Sequence, residues 1–493
     1  MKNVTGETGI RYKHEENDFH EFDREPLIPH MLSTEGPALA IADINHDGLD
    51  DVFIGSSKWK KSAVLIQQHS GKFIPLEEKD LQLDSTWEDV DASWVDLNND
   101  GFPDLVVASG GNEFYGPDVH LKPRVYLNDG KGNLTKAKGA FGDIYVNASC
   151  VAVCDFNGDG FPDLFIGARS VPYDYGQVPA SYLLLNDGLG NFKDVTTSYC
   201  KDLARPGFVT SATWVDINKD GRKDLILTFE WGGIIAWINE GGWFKKQVIS
   251  DKKGWWNFLL PVDIDGDGDL DFIAGNLGLN SRLTASVQEP VRLYYYDFDG
   301  NGKKEQILSY YLNGKEIPFA NKDELQKQIP LLKKNFLYAE DFAKANMKEL
   351  FGEKNLERAD TLEANYFSNS LILNEGNMIV LTLPLPWKAQ LSSLRTAVVV
   401  DANNDSLPDV LIAGNYYENN IQMGRYDADF GTVLINRGGG QLDAVSINGV
   451  SIKGQVRHIK IGMIKGKESY FFAKNNDSLI VIQYADHPPD KKK

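Results

Sequence analysis

One short phrase recurs seven times along this chain and limits what it can fold into. Each copy has the form Asp-x-[Asn/Asp]-x-[Asp/Asn]-Gly-x-x-[Asp/Glu], with serine replacing the glycine in the last copy, and apolar runs precede and follow most copies. The copies begin at Asp43, Asp96, Asp155, Asp216, Asp263, Asp297 and Asp401. Short apolar runs on both sides of a tight polar loop predict pairs of buried β-strands. The chain is therefore predicted to be an array of repeated β units.

A third strand and a tight turn follow most of these pairs. Phrases such as VYLNDGKGN at 125–133 and LLLNDGLGN at 183–191 supply the positive φ that a hairpin into a fourth strand requires. Four-stranded units that cannot bury both faces alone must stack, and radial stacking leaves only short edges. We therefore predict an all-β fold, a β-propeller of four-stranded blades with a small α-helical insertion. Counting the inner strand pairs gives eight blades, whereas counting the third-strand turns gives seven. Both blade numbers therefore remain open.

The spacing of the loops predicts how the chain is divided. The interval of 34 residues after Asp263 leaves no room for outer strands, and the interval of 104 residues after Asp297 contains apolar residues at helical spacing. The N-terminal GIRYKHE could supply a missing outer strand and close the ring. The predicted division is an N-terminal segment at 1–34, blades at 35–320, a helical insertion at 321–365, further blades at 366–485 and a disordered tail at 486–493.

Oxygen-bearing side chains in the loops point to calcium. Ca²⁺ takes about six to eight oxygen ligands, which alternate residues of a tight loop can supply. Positions 1, 3, 5 and 9 carry acids or amides, position 7 offers its backbone carbonyl, and glycine at position 6 permits the sharp reversal. An EF-hand is excluded, because position 12 is Ile54 in the first loop and Val107 in the second, both inside strands. We expect up to seven Ca²⁺ sites.

The predicted ligands occupy positions 1, 3, 5, 7 and 9 of every loop. They are Asp43, Asn45, Asp47, Leu49, Asp51, Asp96, Asn98, Asp100, Phe102, Asp104, Asp155, Asn157, Asp159, Phe161, Asp163, Asp216, Asn218, Asp220, Arg222, Asp224, Asp263, Asp265, Asp267, Asp269, Asp271, Asp297, Asp299, Asn301, Lys303, Glu305, Asp401, Asn403, Asp405, Leu407 and Asp409. Turn formation alone would not require the acid at position 9. The sixth loop has fewer carboxylates and the seventh has Ser406 in place of glycine, so these two are predicted to be the weakest.

The overall composition excludes some partners. The formal net charge of −19 would repel a phosphate backbone, so we expect no nucleic-acid partner. No apolar run is long enough for a membrane span. Three cysteines, Cys150, Cys154 and Cys200, are too few for a disulfide framework. We expect a monomer or a module of a longer chain.

The loops, together with FIGS at 53–56 and FIGAR at 165–169, resemble the FG-GAP/VCBS repeat family, whose relatives include the propellers of integrin α chains. The resemblance extends over about residues 35–480. The segments at 14–48 and 275–302 look similar to surface or secreted proteins of Bacteroidetes-type bacteria. The resemblance implies calcium binding at the loop aspartates, an extracellular, cell-surface or periplasmic location, and an adhesive or ligand-binding role.

Three functions remain open from the sequence. The first is a module that binds a protein or a glycan, with candidate exposed aromatics Trp231, Trp255, Trp256, Tyr416 and Tyr417. Packing in the core or between blades is the alternative role of each of these residues. The second is a polysaccharide-active hydrolase or lyase, and the third is a structural spacer in a larger surface protein.

An enzyme would need converging acids and bases outside the metal loops. Glu113, His120, Arg124, Arg169 and Glu230 can be offered for that role, but their spacing is not diagnostic and none is assigned as catalytic. We expect a binding module rather than an enzyme.

Overall fold

The computed structural model describes residues 1–376 and 380–485, which form eight antiparallel β-sheets, seven with four strands and one with three. The predicted tail at 486–493 lies outside these residues. The first half of the chain contains the strands β1 (Lys2–Asn3), β2 (Leu39–Ala42), β3 (Asp51–Ile54), β4 (Ala63–Gln67), β5 (Phe73–Leu76), β6 (Asp89–Val95), β7 (Asp104–Ser109), β8 (Arg124–Asn128), β9 (Leu134–Lys136), β10 (Ala148–Cys154), β11 (Asp163–Ala168), β12 (Tyr182–Asn186), β13 (Phe192–Asp194), β14 (Phe208–Val215), β15 (Asp224–Asn239) and β16 (Phe244–Trp255).

The second half contains the remaining strands and most of the helices. The strands are β17 (Phe258–Val262), β18 (Asp271–Gly275), β19 (Val291–Tyr296), β20 (Glu305–Leu312), β21 (Lys315–Pro318), β22 (Asp360–Ala364), β23 (Ser370–Asn374), β24 (Val380–Pro384), β25 (Leu394–Val400), β26 (Asp409–Gly414), β27 (Thr432–Asn436), β28 (Leu442–Ser446), β29 (Gln455–Ile464), β30 (Lys467–Asn475) and β31 (Ile480–Gln483). The helices of the described residues, in both halves, are α1 (Thr5–Thr8), α2 (Lys79–Leu83), α3 (Thr196–Tyr199), α4 (Lys322–Gln328), α5 (Leu331–Asn335), α6 (Ala339–Lys344), α7 (Met347–Phe351) and α8 (Glu353–Arg358), with 3₁₀ turns at Glu21–Asp23, Val119–Leu121, Lys201–Ala204 and Trp387–Gln390. Among the described residues, no helix has the length and apolar character needed to cross a membrane.

Most sheets are simple antiparallel meanders. Their strand orders are β2-β3-β4-β5, β6-β7-β8-β9, β10-β11-β12-β13, β14-β15-β16 and β25-β26-β27-β28. In each of them the Asp-rich loop joins the first two strands, as where Val95 pairs with Asp104 across the second loop. The second strands β7 and β11 are completely buried, because apolar side chains on both faces pack against the neighbouring sheets.

The sheets are arranged radially. The first strands β2, β6, β10, β14, β17, β25 and β29 contact one another in this order, and β29 in turn contacts β2. Apolar clusters fill the spaces between sheets: Phe53 and Val107 share one cluster, and Phe165 and Leu227 share another. This is the architecture of a β-propeller, in which facing sheets bury apolar surface that a single sheet would expose.

The N-terminus contributes the outer strand of the last sheet, whose order is β1-β31-β30-β29. Lys2 pairs with Gln483 and Asn3 pairs with Ile482. The pairing strand is therefore Lys2–Asn3 and not GIRYKHE at 9–15, where Lys13 forms only an isolated bridge with Ser478.

The insertion is larger than the sequence predicts. The fifth sheet, β17-β18-β23-β24, is interrupted between Gly275 and Ser370. That interval holds the predicted region 321–365 with α4–α8, and also a complete sheet of order β21-β20-β19-β22, which we call the inserted sheet. The missing outer strands of the fifth sheet thus follow the insertion, and the sixth loop lies on the inserted sheet. Leu325, Ile329 and Leu332 pack against that sheet.

Candidate metal loops and the opposite face

The Asp-rich loops are folded by bonds from their own backbone to their own side chains. In the second loop, Asp100 N–H donates to Asp96 Oδ1 and to Asn98 Oδ1, both at 3.1 Å, and Gly101 N–H donates to Asp96 Oδ2 at 2.9 Å. The N–H of Phe102, at position 7, donates to Asp100 Oδ1 at 2.9 Å. The first, fourth and seventh loops repeat the bonds made to positions 1, 3 and 5. These side chains are therefore held inside the loop.

Each loop contains two residues in the left-handed region, at positions 4 and 6. Position 6 is glycine except for Ser406, which takes φ 66° nevertheless. Position 4 is His46, Asn99, Gly158, Lys219, Gly266, Gly300 or Asn404, with φ between 56° and 82°. Asn and Gly tolerate this conformation best. The sequence alone does not show that position 4 adopts the left-handed conformation, because the residues at this position share no side-chain chemistry.

The acid at position 9 is buried at the base of the loop. Asp104 accepts hydrogen bonds from Leu97 N–H at 3.0 Å and from Asn128 N–H at 2.8 Å. Burial raises the pKa of Asp104 to about 6, that of Asp51 to about 7 and that of Glu305 to about 7. A cation in the loop would favour the ionised form of these acids. Position 9 thus joins the loop to the third strand of its sheet.

The tightest groups of acids lie in the fifth and sixth loops. Within the described residues, ligand atoms of Asp263, Asp265 and Asp267 approach one another within 4.8 Å, as do those of Asp297, Asp299 and Glu305. The longer glutamate at position 9 of the sixth loop reaches its group, whereas Asp271 does not belong to the group in the fifth. These donors are hard oxygens, and this chemistry suits Ca²⁺.

An asparagine links neighbouring sheets at the metal loops, and sequence reasoning missed it. Asn128, which ends the third strand β8, donates from Nδ2 to Ile44 O of the first loop at 2.8 Å and to Pro103 O of its own loop at 3.0 Å. The same bond to the preceding loop joins Asn186 to Leu97 O, Asn239 to Phe156 O and Asn436 to Ile264 O. The recurring Asn of the turn phrases was the available signal, since a turn alone does not require it.

The N-terminal segment, residues 10–36, crosses the opposite face of the propeller. It is bonded to loops that follow the second strands of five sheets. The pairs are Tyr12 with Gly55, Arg24 with Glu113, Glu25 with Tyr175, Pro29 with Asn420 and Gly36 with Asn475. These bonds join loops that the sheets alone leave separate.

Beneath this segment lies a buried ionic cluster, formed by Glu35, Arg169, Glu230, Arg395 and Arg457. Arg169 pairs with Glu35 and with Glu230, each at 2.8 Å, and Arg395 pairs with Glu35. Burial opposes ionisation, but Arg169 and Arg395 hold the pKa of Glu35 at about 2, and the pKa of Glu230 is also lowered. Arg169 and Glu230 are therefore bound to each other, and Glu230 does not hold a proton that it could donate as a general acid.

The candidate exposed aromatics are mostly buried around this cluster. Trp231, Trp255, Trp256 and Tyr416 each expose 6% or less of their surface, so the structure shows them in packing, the alternative role that the sequence left open, and not as an exposed contact surface. Trp231 Nε1–H donates to Tyr175 Oη at 2.8 Å. The N-terminal segment and the inserted sheet pack over Trp231, Trp255 and Tyr416. Trp256 instead packs between the fourth and fifth sheets.

The other acid-base candidates have separate partners. His120 contacts Asp118 Oδ1 at 2.7 Å and Thr86 Oγ1 at 3.0 Å. Arg124 pairs with Asp89, and Glu113 pairs with Lys58. They do not form one catalytic group.

Three further ligand-type side chains, those of His14, Glu16 and Glu88, lie within 4.8 Å of one another. Asn476 N–H donates to His14 Nδ1 at 3.1 Å, so a neutral ring carries its proton on Nε2. A metal-binding histidine offers one ring nitrogen to the ion and donates a hydrogen bond from the other. In His14 one ring nitrogen, Nδ1, already accepts a hydrogen bond and the other, Nε2, carries the proton, so neither is available to an ion. Burial raises the pKa of Glu16 to about 8 and that of Glu88 well above its usual range. We interpret the group as buried carboxyls that retain protons.

Raising the pH is expected to loosen the N-terminal segment. The folded pKa of Glu16, about 8, exceeds its ordinary value, so the folded form keeps a proton that the unfolded form has lost, and stability falls as the pH rises toward 8. Hydrogen exchange of residues 10–36, corrected for intrinsic rates, should be faster at pH 9 than at pH 6. Glu16→Gln stays neutral at that position and should narrow the difference between the two pH values, while the raised pKa of Glu88 still contributes to it. If residues 10–36 of the unaltered protein exchanged at the same corrected rate at pH 6 and pH 9, the prediction would be contradicted.

The radial sheets and acidic loops define the class of this protein: a β-propeller with aspartate-rich loop repeats. Residues 43–107, 96–166 and 216–274 match the family model of the FG-GAP-like repeat. These segments of the chain are therefore FG-GAP-like repeats.

Relatives with curated descriptions match a part of the chain. Phosphatidylinositol-glycan-specific phospholipase D of Mus musculus is 36% identical over 160 residues, which are 27% of this chain and 18% of that protein. The Homo sapiens protein is 31% identical over 154 residues, 27% of this chain and 17% of that protein. The chain thus spans less than a fifth of the length of these relatives.

Solved structures match more of the chain at low identity. The biofilm matrix protein Bap1 of V. cholerae is 11% identical, with a TM-score of 0.40 over 98% of this chain and 91% of that chain. The Dos1 propeller is 10% identical, with a TM-score of 0.40 over 94% of this chain and 97% of that chain.

Proposed function

We propose that this protein is a seven-bladed, calcium-stabilised β-propeller that acts as a recognition module for a glycan or a protein outside the cytoplasm. The observation that carries the proposal is the shared loop geometry, in which the N–H of position 5 donates to Oδ1 of the aspartate at position 1 in six of the seven loops. The closed order of first-strand contacts, which omits the inserted sheet, supports a count of seven blades.

The location follows from calcium availability. Calcium modules of extracellular proteins bind with dissociation constants of about 10⁻⁴ to 10⁻³ M. The calcium concentration of the cytosol would leave such sites empty. Loops of this kind are therefore expected to work at the cell surface, in the periplasm or outside the cell.

The recognition surface is proposed on the face opposite the metal loops. Trp59 and Tyr115 expose 66% and 65% of their surfaces on the connections that follow β3 and β7, and Tyr173 follows β11. A groove of about 460 Å³ beside Trp59 is lined by Phe19 and Glu113, among others. Exposed aromatic rings beside polar groups can stack on a sugar or anchor a protein side chain.

Glycan-array binding and pulldown in millimolar calcium test this proposal. Trp59→Ala should weaken binding by at least ~10-fold, as expected for a central aromatic contact. The matched control is Trp243→Ala, because Trp243 is 52% exposed on the β15–β16 turn at the metal-loop end. Full binding after EGTA treatment would contradict the calcium requirement. A folded, calcium-loaded protein that binds nothing would favour the structural spacer.

A further inference from the structure

A small cavity adjoins the buried ionic cluster. Its volume is about 20 Å³, and it is lined by Arg169, Arg395, Trp255, Asn257 and Ser393, with residues of the neighbouring loops. This volume is enough for one water-sized ligand. Trp255 exposes only 4% of its surface, so the wall that it contributes to the cavity is buried.

The charge around the cavity is positive. The cluster contains three arginines and two glutamates, and Arg457 donates to the oxygens Thr34 O, Asn415 O and Gln455 Oε1, none of which is a carboxylate. Burial, together with Arg169 and Arg457, lowers the pKa of Arg395 to about 10 despite its pairing with Glu35. Buried charge without a counter-charge is costly, and a bound anion would offset it.

Hydrogen-bond donors line the same space. Trp255 Nε1 is buried and has no hydrogen-bond partner among the described residues. Ser393 Oγ accepts from Asn257 Nδ2 at 3.1 Å, and this leaves its own proton to donate. Arg395 uses Nη1 for Asn257 and Nη2 for Glu35, and retains further N–H groups. Indole, hydroxyl and guanidinium donors suit an anion better than a cation.

We propose that this cavity binds one small monovalent anion of about the size of chloride. The site joins the N-terminal segment, through His30 and Glu35, to sheets of the propeller, through Arg169 and Arg395. The anion therefore stabilises the contact between the N-terminal segment and the face of the propeller opposite the metal loops. This inference goes beyond recognition and does not depend on calcium.

Bromide serves as the probe in crystals of the full chain grown with calcium. An anomalous peak at the cavity, within hydrogen-bond distance of Trp255 Nε1 and Arg395, is the expected result. A cavity that holds only water in bromide-soaked crystals would overturn the proposal.

Chloride titration of the melting temperature gives a second readout. Gluconate replaces chloride at constant ionic strength and saturating calcium, and the melting temperature should rise and saturate with chloride. Trp255→Phe removes the indole donor and should raise the half-saturating chloride concentration at least tenfold. Trp231→Phe is the matched control, since Trp231 donates to Tyr175 and not into the cavity; its chloride dependence should be unchanged. Equal chloride dependence in Trp255→Phe would overturn the assignment, and if that variant does not fold, the bromide result decides.

Discussion

Removing calcium with EGTA should lower the melting temperature of this protein by roughly 10–20 °C, and added calcium should restore it. A ligand that binds only the folded state contributes ~1.4–2.7 kcal/mol per site at 10 to 100 times its dissociation constant. With up to seven loops, each site adds to the total. A chain of this length unfolds with an entropy of about 1 kcal/mol/K. The shift in the melting temperature is the summed binding free energy divided by this entropy.

Differential scanning calorimetry compares the protein in about 10 mM calcium, 10 to 100 times the expected dissociation constants, with the same protein dialysed against EGTA without calcium. Magnesium in place of calcium, at the same concentration as the calcium, is the control. Asp96→Ala should remove one site, so isothermal titration should show one calcium fewer while the other loops still bind. A melting temperature that does not move on calcium removal would contradict the metal assignment, whatever the later result for ligand binding.

Asn186→Ala is expected to reduce the free energy of unfolding by ~3–5 kcal/mol. Asn186 is buried and donates to Leu97 O at 2.8 Å and to Pro162 O at 3.0 Å, so truncation leaves two buried carbonyls without these donors. Its own Oδ1 also accepts from Gly188 N–H at 3.1 Å. The loss therefore affects the loop, the turn and the contact between two sheets together.

Urea unfolding measures this difference. Asn191→Ala is the matched control, because Asn191 is exposed in the same turn and its Nδ2 bonds only locally, to Asp187 at 2.9 Å; its cost should stay within ~1 kcal/mol. Asn186→Asp should be at least as harmful as alanine, since a carboxylate oxygen would face the carbonyl of Leu97. Equal effects at Asn186 and Asn191 would show that the link between sheets contributes nothing.

The sequence predicted the features that repeat locally. The loops at Asp43 to Asp401, the strands on either side of them and the tight third-strand turns are readable because each depends on a few adjacent residues. Inner strands such as β7 and β11 were equally clear, since strands packed on both faces have continuous apolar runs. Calcium at these loops remains a prediction.

The tertiary structure decided what depends on distant parts of the chain. The outer strand at Lys2–Asn3, the return of the fifth sheet at Ser370 and the burial of Trp255 each join segments far apart in sequence. No local pattern encodes them: a two-residue strand has no periodicity, and an aromatic residue near a turn has the same sequence signature whether or not another segment covers it. Local chemistry therefore determined the repeating unit, whereas packing between distant segments determined how the units are joined and which side chains are covered.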